Sequence, residues 1–192
     1  MKSRLRIWTI LMMIGILPMM SCGFWGSLTP DQKGKIIDAA GDVANKLLSS
    51  EEAGQTNLDD MEAKEWRRYR KEYLLASLTR SASPGPRIMM EAPEVSMSNQ
   101  GQTAEMLSPA RLKISFGENP ESGESVDMAS LDVKAVKWLV SISLTDRLKP
   151  YIQGTTLEAE KVEIPKGKFH IEVSVADAKG EKTVENYLFV VK

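Results

Sequence analysis

The sequence predicts a mainly β fold, in which antiparallel strands fill the C-terminal part of the chain after two amphipathic helices and a flexible linker. Apolar and polar side chains alternate from residue 109 onward, which is the period of a half-buried strand. Between residues 30 and 80, apolar side chains recur three or four positions apart, which is the period of a helix. Residues 81–108 show neither period and are rich in Pro, Gly and Ser, so they are predicted to form the linker.

The first 22 residues combine the features of a secretory signal. Three cations lie within residues 1–6, an uncharged apolar run covers residues 7–20, and a small serine precedes Cys22, the only cysteine of the chain. The last four of these residues, from Met19 to Cys22, resemble the lipobox of bacterial lipoproteins. In that family the cysteine thiol receives a diacylglycerol, the preceding residues are removed, and the new amino terminus is acylated, as by palmitate.

The resemblance implies a signal peptide over residues 1–21, lipidation of Cys22, a tether over residues 22–29 and a place in the bacterial cell envelope. Gly23 is similar to the residue that follows the cysteine in lipoproteins sent to the outer membrane of diderm bacteria, on its periplasmic face or at the surface. Two alternatives stay open. Residues 7–29 carry no charge and are long enough for an uncleaved transmembrane helix, and a lone cysteine is often a small core residue.

Removal of the signal leaves a weakly acidic chain without a disulfide. The full chain has 25 basic and 26 acidic residues, and the signal holds three of the cations and no acid, so the mature net charge is −4. This charge gives no electrostatic reason to bind nucleic acid. An acylated Cys22 leaves no thiol for a disulfide, so the fold depends on packing.

Two helices are predicted in a helical segment that covers residues 30–80. The first begins with a Thr-Pro-Asp-Gln capping box and covers residues 30–50. A Gly-Gln-Thr-Asn break at residues 54–57 separates it from the second helix. The second helix is predicted over about residues 58–80, with two aspartates in its first turn, where the helix dipole favours anions.

The strands are predicted from alternation of apolar and polar residues, and they cover residues 110–116, 131–144, 157–162, 169–176 and 182–191. The second of them changes its apolar phase near Ala135, which predicts a bulge or a tight reversal there. An Asp-Ala-Lys-Gly turn before the last strand predicts that this strand returns antiparallel to its predecessor. Apolar residues on both faces at 188–191 indicate a centrally placed strand.

The pattern spread over residues 108–116, 126–133, 142–148 and 164–180 resembles immunoglobulin-like or fibronectin type III-like domains of bacterial envelope proteins. Such domains often begin a strand with Pro-x-Gly-x-aromatic and end it with Asp-x-x-Gly, and both patterns occur in the last of these segments. The resemblance implies that residues 109–192 form an immunoglobulin-like antiparallel β-sandwich. It implies no activity, because this fold carries many unrelated binding functions.

Residues that carry catalysis or bind metals are sparse in the sequence. The one histidine, His170, is predicted on the solvated face of a strand beside Glu172, and no second His or free Cys completes a metal site. Nucleophile elbows, phosphate loops and the His-Glu-x-x-His motif do not occur. We therefore expect a protein that is not an enzyme and holds no cofactor, with weak calcium binding by Asp127 and Asp177 left open.

The most distinctive internal stretch is residues 65–73, where basic and aromatic residues are interleaved on a predicted helix. Trp66, Tyr69 and Tyr73 fall on one helical face, and the basic residues, Arg70 among them, fall on the other. The favoured interpretation is that the aromatic face packs on the first helix or on the sandwich. The alternative is a docking face for another envelope protein, with Trp66, Tyr69, Tyr73 and Arg70 as partner-binding residues.

Together these observations predict a non-enzymatic, lipid-anchored envelope protein whose immunoglobulin-like domain and aromatic helix bind or scaffold a protein partner. The alternative is a carbohydrate-binding or adhesion accessory lipoprotein at the cell surface. Exposed Tyr151 and Tyr187 would contribute to a sugar-stacking platform, whereas Trp138 is expected in the core of the sandwich. Exposure of Trp66, Tyr69 and Tyr73 would favour protein docking, whereas a planar row of exposed rings on the sandwich would favour a glycan.

Overall fold

The computed structural model describes residues 46–75 and 85–192 of the 192-residue chain. The predicted signal peptide, the lipidation site Cys22, the tether and residues 30–45 of the first predicted helix lie outside the described residues. Within the described ranges, none of the helices has the length and apolar character needed to cross a membrane.

The described residues contain ten strands that form two sheets packed face to face. The strands are β1 (Arg87–Ala92), β2 (Val95–Ser98), β3 (Gly101–Met106), β4 (Ala110–Gly117), β5 (Val126–Lys137), β6 (Val140–Ser143), β7 (Ile152–Gln153), β8 (Thr156–Val162), β9 (Gly167–Asp177) and β10 (Lys182–Val191). One sheet has the strand order β1-β4-β8-β7, and the other has the order β2-β3-β10-β9-β5-β6. The prediction of a mainly β sandwich is confirmed.

The strand order is that of an immunoglobulin-like sandwich. The four-stranded sheet follows the order A-B-E-D, and strands β10, β9, β5 and β6 of the other sheet follow the order G-F-C-C′. The predicted return of the last strand is confirmed, because β10 pairs antiparallel with β9 along its whole length. One pairing departs from the predicted antiparallel arrangement, since β3 runs parallel to β10 from Thr103 opposite Leu188 to Met106 opposite Val191.

The core lies between the two sheets and follows the alternation seen in the sequence. The inward side chains of the predicted strands are buried, and they include Leu112, Ile114, Phe116, Val133, Phe169, Ile171, Val173 and Val175. Each such side chain contributes about 1.5 to 3 kcal/mol when it leaves water. β9 is buried on both faces over much of its length, because the other sheet covers its inner face and Tyr69 covers its outer face at His170.

The predicted linker over residues 81–108 is wrong for residues 87–106, which form β1, β2 and β3. All three strands are short, and β1 and β2 are edge strands with few buried side chains, so the alternation in the sequence is weak. Ile88, Ala104 and Met106 nonetheless reach the core. The sandwich therefore begins at β1 and not at residue 109.

The helices also differ from the prediction. Helix α1 covers Ser50–Thr56, which includes most of the predicted break, because Ser49 and Glu52 form a capping box that starts a helix there. Helix α2 covers Ala63–Tyr69 and continues as a π-helical turn over Arg70–Leu74. It begins five residues after the predicted start, since the backbone N–H of Leu58 donates to the carbonyl of Lys168 instead. A short helix α3 (Thr145–Leu148) and a 3-10 turn (Lys149–Tyr151) follow β6.

Helix α1 is joined to the sandwich by a bidentate ion pair. The guanidinium of Arg147 donates to both carboxylate oxygens of Glu52, at 2.6 and 2.8 Å, and to the carbonyl oxygen of Leu47 at 2.7 Å. The hydrogen bond from Arg147 is the main reason why the pKa of Glu52 falls to about 2. Leu47 and Leu48 are buried in the core at the same place, so apolar and charged contacts hold this segment together.

Candidate docking surface

Helix α2 lies on the outer face of the six-stranded sheet, where Tyr69 joins it to the strands. Tyr69 is fully buried with Leu58, Leu74 and Leu188 in a second apolar cluster. Its hydroxyl lies 2.7 Å from Nδ1 of His170 and 2.9 Å from the carbonyl oxygen of Val136. Tyr69 is therefore not a partner contact, and the favoured interpretation of the sequence, that this ring packs on the sandwich, is confirmed for Tyr69.

His170 is buried beneath helix α2, so the prediction that it lies on a solvated face is wrong. The strand alternation did place it on the outer face of β9, but Tyr69 covers that face. Its other nitrogen, Nε2, lies 2.7 Å from Oδ1 of Asn186. Burial lowers the pKa of His170 below its ordinary value. A neutral imidazole that donates Nε2–H to Asn186 presents Nδ1 as an acceptor to Tyr69.

Four aromatic rings, Trp66, Tyr69, Tyr73 and Trp138, form one cluster around this buried hydroxyl. Tyr69 stacks on Tyr73 with ring centroids 4.8 Å apart and on Trp66 at 6.4 Å. Trp138 meets Tyr69 and Tyr73 edge to face, at 5.1 and 5.9 Å. Trp138 is only half-buried and lies in a turn, so its predicted place in the core of the sandwich is wrong.

The turn that carries Trp138 joins β5 to β6 and is strained. The chain reverses at Trp138 and Leu139, and not near Ala135 as predicted. Ala135 and Val133 are both buried on the same face of β5. The register shift in the pairing of β5 with β9 lies earlier, between Asp127 and Asp132. Trp138 has φ 52°, and no other non-glycine residue in the described ranges has a positive φ. Two-residue hairpins favour Gly or Asn at such a position, and another residue there costs about 1 to 2 kcal/mol.

The side chains beside Trp138 leave an apolar point exposed. Leu139 is 99% exposed and Val140 is 40% exposed. The guanidinium carbon of Arg68 lies 5.7 Å from the centre of the Trp138 ring, a cation–π distance. The strained backbone at Trp138 is thus held in place by ring contacts, and the turn presents the side chain of Leu139 to solvent. We call Trp138, Leu139 and Val140 the hairpin tip.

Trp66, Arg70 and Tyr73 lie at helical spacing on α2 and its π turn, and we call them the helix docking face. All three are half-buried, whereas the sequence placed Arg70 on the opposite, solvated face. The Nε of Arg70 is buried and has no hydrogen-bond acceptor among the described residues. A buried donor without an acceptor costs about 1 to 3 kcal/mol, and because the Arg70 side chain as a whole is only half-buried, an acceptor from another molecule reaches this nitrogen once the side chain shifts. Single π-helical turns are often found at functional sites.

The calcium site left open by the sequence does not form between the two aspartates. Val126 pairs with Asp177 and Asp127 pairs with Ala176, so Asp127 and Asp177 project from opposite faces of the sheet. The carboxylate of Asp177 accepts hydrogen bonds from the side chain of Asn119 and from backbone N–H groups of its own turn, which lowers its pKa. Across residues 46–75 and 85–192, no three His, Cys, Asp or Glu side chains form a metal-binding group.

The two tyrosines proposed for a sugar platform do not form one. Tyr187 is 2% exposed and lies in the core of the sandwich. Tyr151 is half-buried in the turn after α3 and packs against that core. Neither ring therefore offers a flat exposed face, and the observation that would have favoured a glycan is lacking in the described part of the chain.

Sequence reasoning missed Leu139, Val140 and Arg68. The alternation around Val136, Trp138 and Val140 continued through the turn, and no Gly, Asn or Asp marked it. Of the predicted partner-binding residues, Trp66, Arg70 and Tyr73 lie together on one helix face, whereas Tyr69 lies beneath it. No family model matches the sequence, and a comparison with curated proteins finds no match either.

Proposed function

We propose that this protein is a non-enzymatic, lipid-anchored module of the bacterial cell envelope that captures a protein partner through the helix docking face. Acyl chains on Cys22 hold it at the membrane, and the immunoglobulin-like sandwich carries the face. The lipobox resemblance supports the anchor, and the orphaned Nε–H of Arg70 is the observation that carries the docking role.

Arg70 supports docking because its buried Nε–H donor, which has no acceptor among the described residues, lowers the stability of the free protein. Its Nε is buried, and no described carboxylate or carbonyl accepts from it. A carboxylate or carbonyl from a partner would satisfy this donor, and hydrogen bonds to charged groups contribute about 1.5 to 3 kcal/mol. We therefore expect the partner to place an acceptor at Arg70.

The neighbouring rings support a protein as the partner. Trp, Tyr and Arg are the residue types that dominate binding energy in protein interfaces, and the helix docking face contains one of each. Tyr69 fixes the face from below by stacking on Trp66 and Tyr73. A face that is rigid before binding loses little side-chain entropy when a partner arrives.

The test uses photo-crosslinking in intact cells, with benzoylphenylalanine in place of Trp66. We expect one defined adduct, identified by mass spectrometry, that is lost in an Arg70→Gln background. Arg67→Gln is the matched control, because it removes the same charge from an exposed position of the same helix. The adduct should persist in that control.

The same variants separate docking from a structural role. Removing a buried donor that has no acceptor should leave the free energy of unfolding unchanged or raise it by about 1 kcal/mol. An Arg70→Gln protein that unfolds much more easily, or one that forms the adduct as well as Arg67→Gln does, would contradict the proposal.

A further inference from the structure

We propose that the hairpin tip is a second membrane contact, which rests on an anionic bilayer surface and sets the orientation of the sandwich. This inference rests on the proposed function, because the acyl chains of Cys22 bring the bilayer close. Trp138, Leu139 and Val140 are not part of the helix docking face, and the bilayer is the surface that they contact.

The shape of the hairpin tip favours a lipid surface. A leucine that is 99% exposed in a two-residue turn projects from the molecule, and Val140 beside it is 40% exposed. Protein hot spots are more often side chains in well-packed pockets, whereas a projecting apolar point can enter the boundary between headgroups and acyl chains. Trp138 follows at the next level, where indole rings favour the membrane interface.

The hairpin tip is held rigidly enough to act as a wedge. Trp138 is fixed by edge-to-face contacts with Tyr69 and Tyr73 and by the guanidinium of Arg68. The Tyr69 hydroxyl in turn lies 2.9 Å from the carbonyl oxygen of Val136, two residues before Trp138. Leu139 is therefore presented without the entropy cost of ordering a flexible loop.

Helix α2, which contacts the hairpin tip through Arg68, carries basic side chains that complement anionic headgroups. Residues 63–74 of α2 and its π turn contain five basic and two acidic residues, although the whole chain has a net charge of −1. Lys64 and Lys71 are exposed, and Arg68 reaches the Trp138 ring. Basic side chains near a membrane surface attract anionic lipid, and this attraction adds to an acyl anchor. The partner at the helix docking face is then one that is itself held at the membrane.

The test places a fluorescent probe next to the hairpin tip in the full acylated protein. Cys22 is the only cysteine, so Ser141→Cys provides the single free thiol once Cys22 is acylated. Ser141 is exposed on β6, two positions from Leu139. The protein is labelled with an environment-sensitive dye and reconstituted into vesicles of phosphatidylcholine and phosphatidylglycerol. Met97→Cys, 69% exposed on the edge strand β2, carries the same dye as the matched control.

We expect the emission of the dye at residue 141 to shift to the blue on these vesicles, and the dye at residue 97 to stay aqueous. Leu139→Asp should abolish the shift, while the acyl chains keep the protein on floated vesicles. In a protein that begins at Gly23, which has neither the acyl chains nor the apolar signal segment, Leu139→Asp should lower vesicle partitioning about tenfold.

Three outcomes would overturn the proposal: no shift at residue 141, a shift that survives Leu139→Asp, or a shift that needs an added envelope protein. A failure of the anchor is recognised separately, because an unacylated Cys22 would take up dye in the parent protein.

Discussion

Replacement of Tyr69 by Phe removes one atom from the contact that joins helix α2 to the sandwich. The hydroxyl oxygen lies 2.7 Å from Nδ1 of His170 and 2.9 Å from the carbonyl oxygen of Val136. Burial raises the pKa of Tyr69, so the hydroxyl keeps its proton as a donor. The phenyl ring of the variant retains the stacking on Tyr73 and the edge contact with Trp138.

The expected loss follows from what the missing hydroxyl leaves behind. His170 is fully buried, so its Nδ1 has no water to replace the lost donor. A buried polar group without its partner costs about 1 to 3 kcal/mol, and we expect Tyr69→Phe to lower the free energy of unfolding by about 2 kcal/mol. With an unfolding slope of about 2 kcal/mol per molar urea, the midpoint should fall by about 1 M.

Urea unfolding followed by tryptophan fluorescence measures this loss, and Tyr73→Phe is the control. The hydroxyl of Tyr73 has no hydrogen bond within the described residues, and its ring is half-buried in the same cluster. Its removal should change the free energy of unfolding by less than about 0.5 kcal/mol. Equal midpoints for the two variants would refute the account of how the helix is held.

Two further predictions concern His170 and Gly167. Burial lowers the pKa of His170, so as the pH falls the unfolded chain takes up a proton near pH 6.5, before the folded chain does. The free energy of unfolding should therefore be flat above pH 6.5 and should fall below it by at most about 1.4 kcal/mol per pH unit. His170→Gln should remove this dependence between about pH 5 and pH 6.5, and an unchanged slope would contradict it. Gly167 has φ +145°, and a Cβ there would lie 2.8 Å from the side-chain amide of Asn57, so Gly167→Ala should cost about 1 to 3 kcal/mol in thermal or urea unfolding. Gly154→Ala, at φ +58° with nothing within 4 Å, should cost less, and the reverse order would show that the contact with Asn57 is unimportant.

The strands that could be predicted are those whose partners lie close in the sequence or whose alternation is long. β9 and β10 were predicted well because a clear turn joins two strands with regular apolar positions. β1, β2 and β3 were missed because all three are short, because β1 and β2 are mostly exposed, and because β3 pairs with β10, which lies more than eighty residues later. Local pattern contains no information about such a pairing.

The site was predicted in part, and the errors have one physical cause. The sequence places Tyr69 and His170 on defined faces of a helix and a strand, but it does not say that these faces meet. The two residues are 101 positions apart in the sequence, and both are buried where their side chains meet. The strained turn at Trp138 could not be predicted either, since its conformation depends on the rings of α2 and not on a turn-forming residue.

The measurement that tests the central claim most directly is the intact mass of the purified protein from its native membrane. We predict a chain that begins at Cys22, lacks residues 1–21 and carries the mass of a diacylglycerol and an amide-linked acyl chain. A full-length chain with an unmodified Cys22 thiol would contradict the anchor, and with it the proposed place of this sandwich in the envelope.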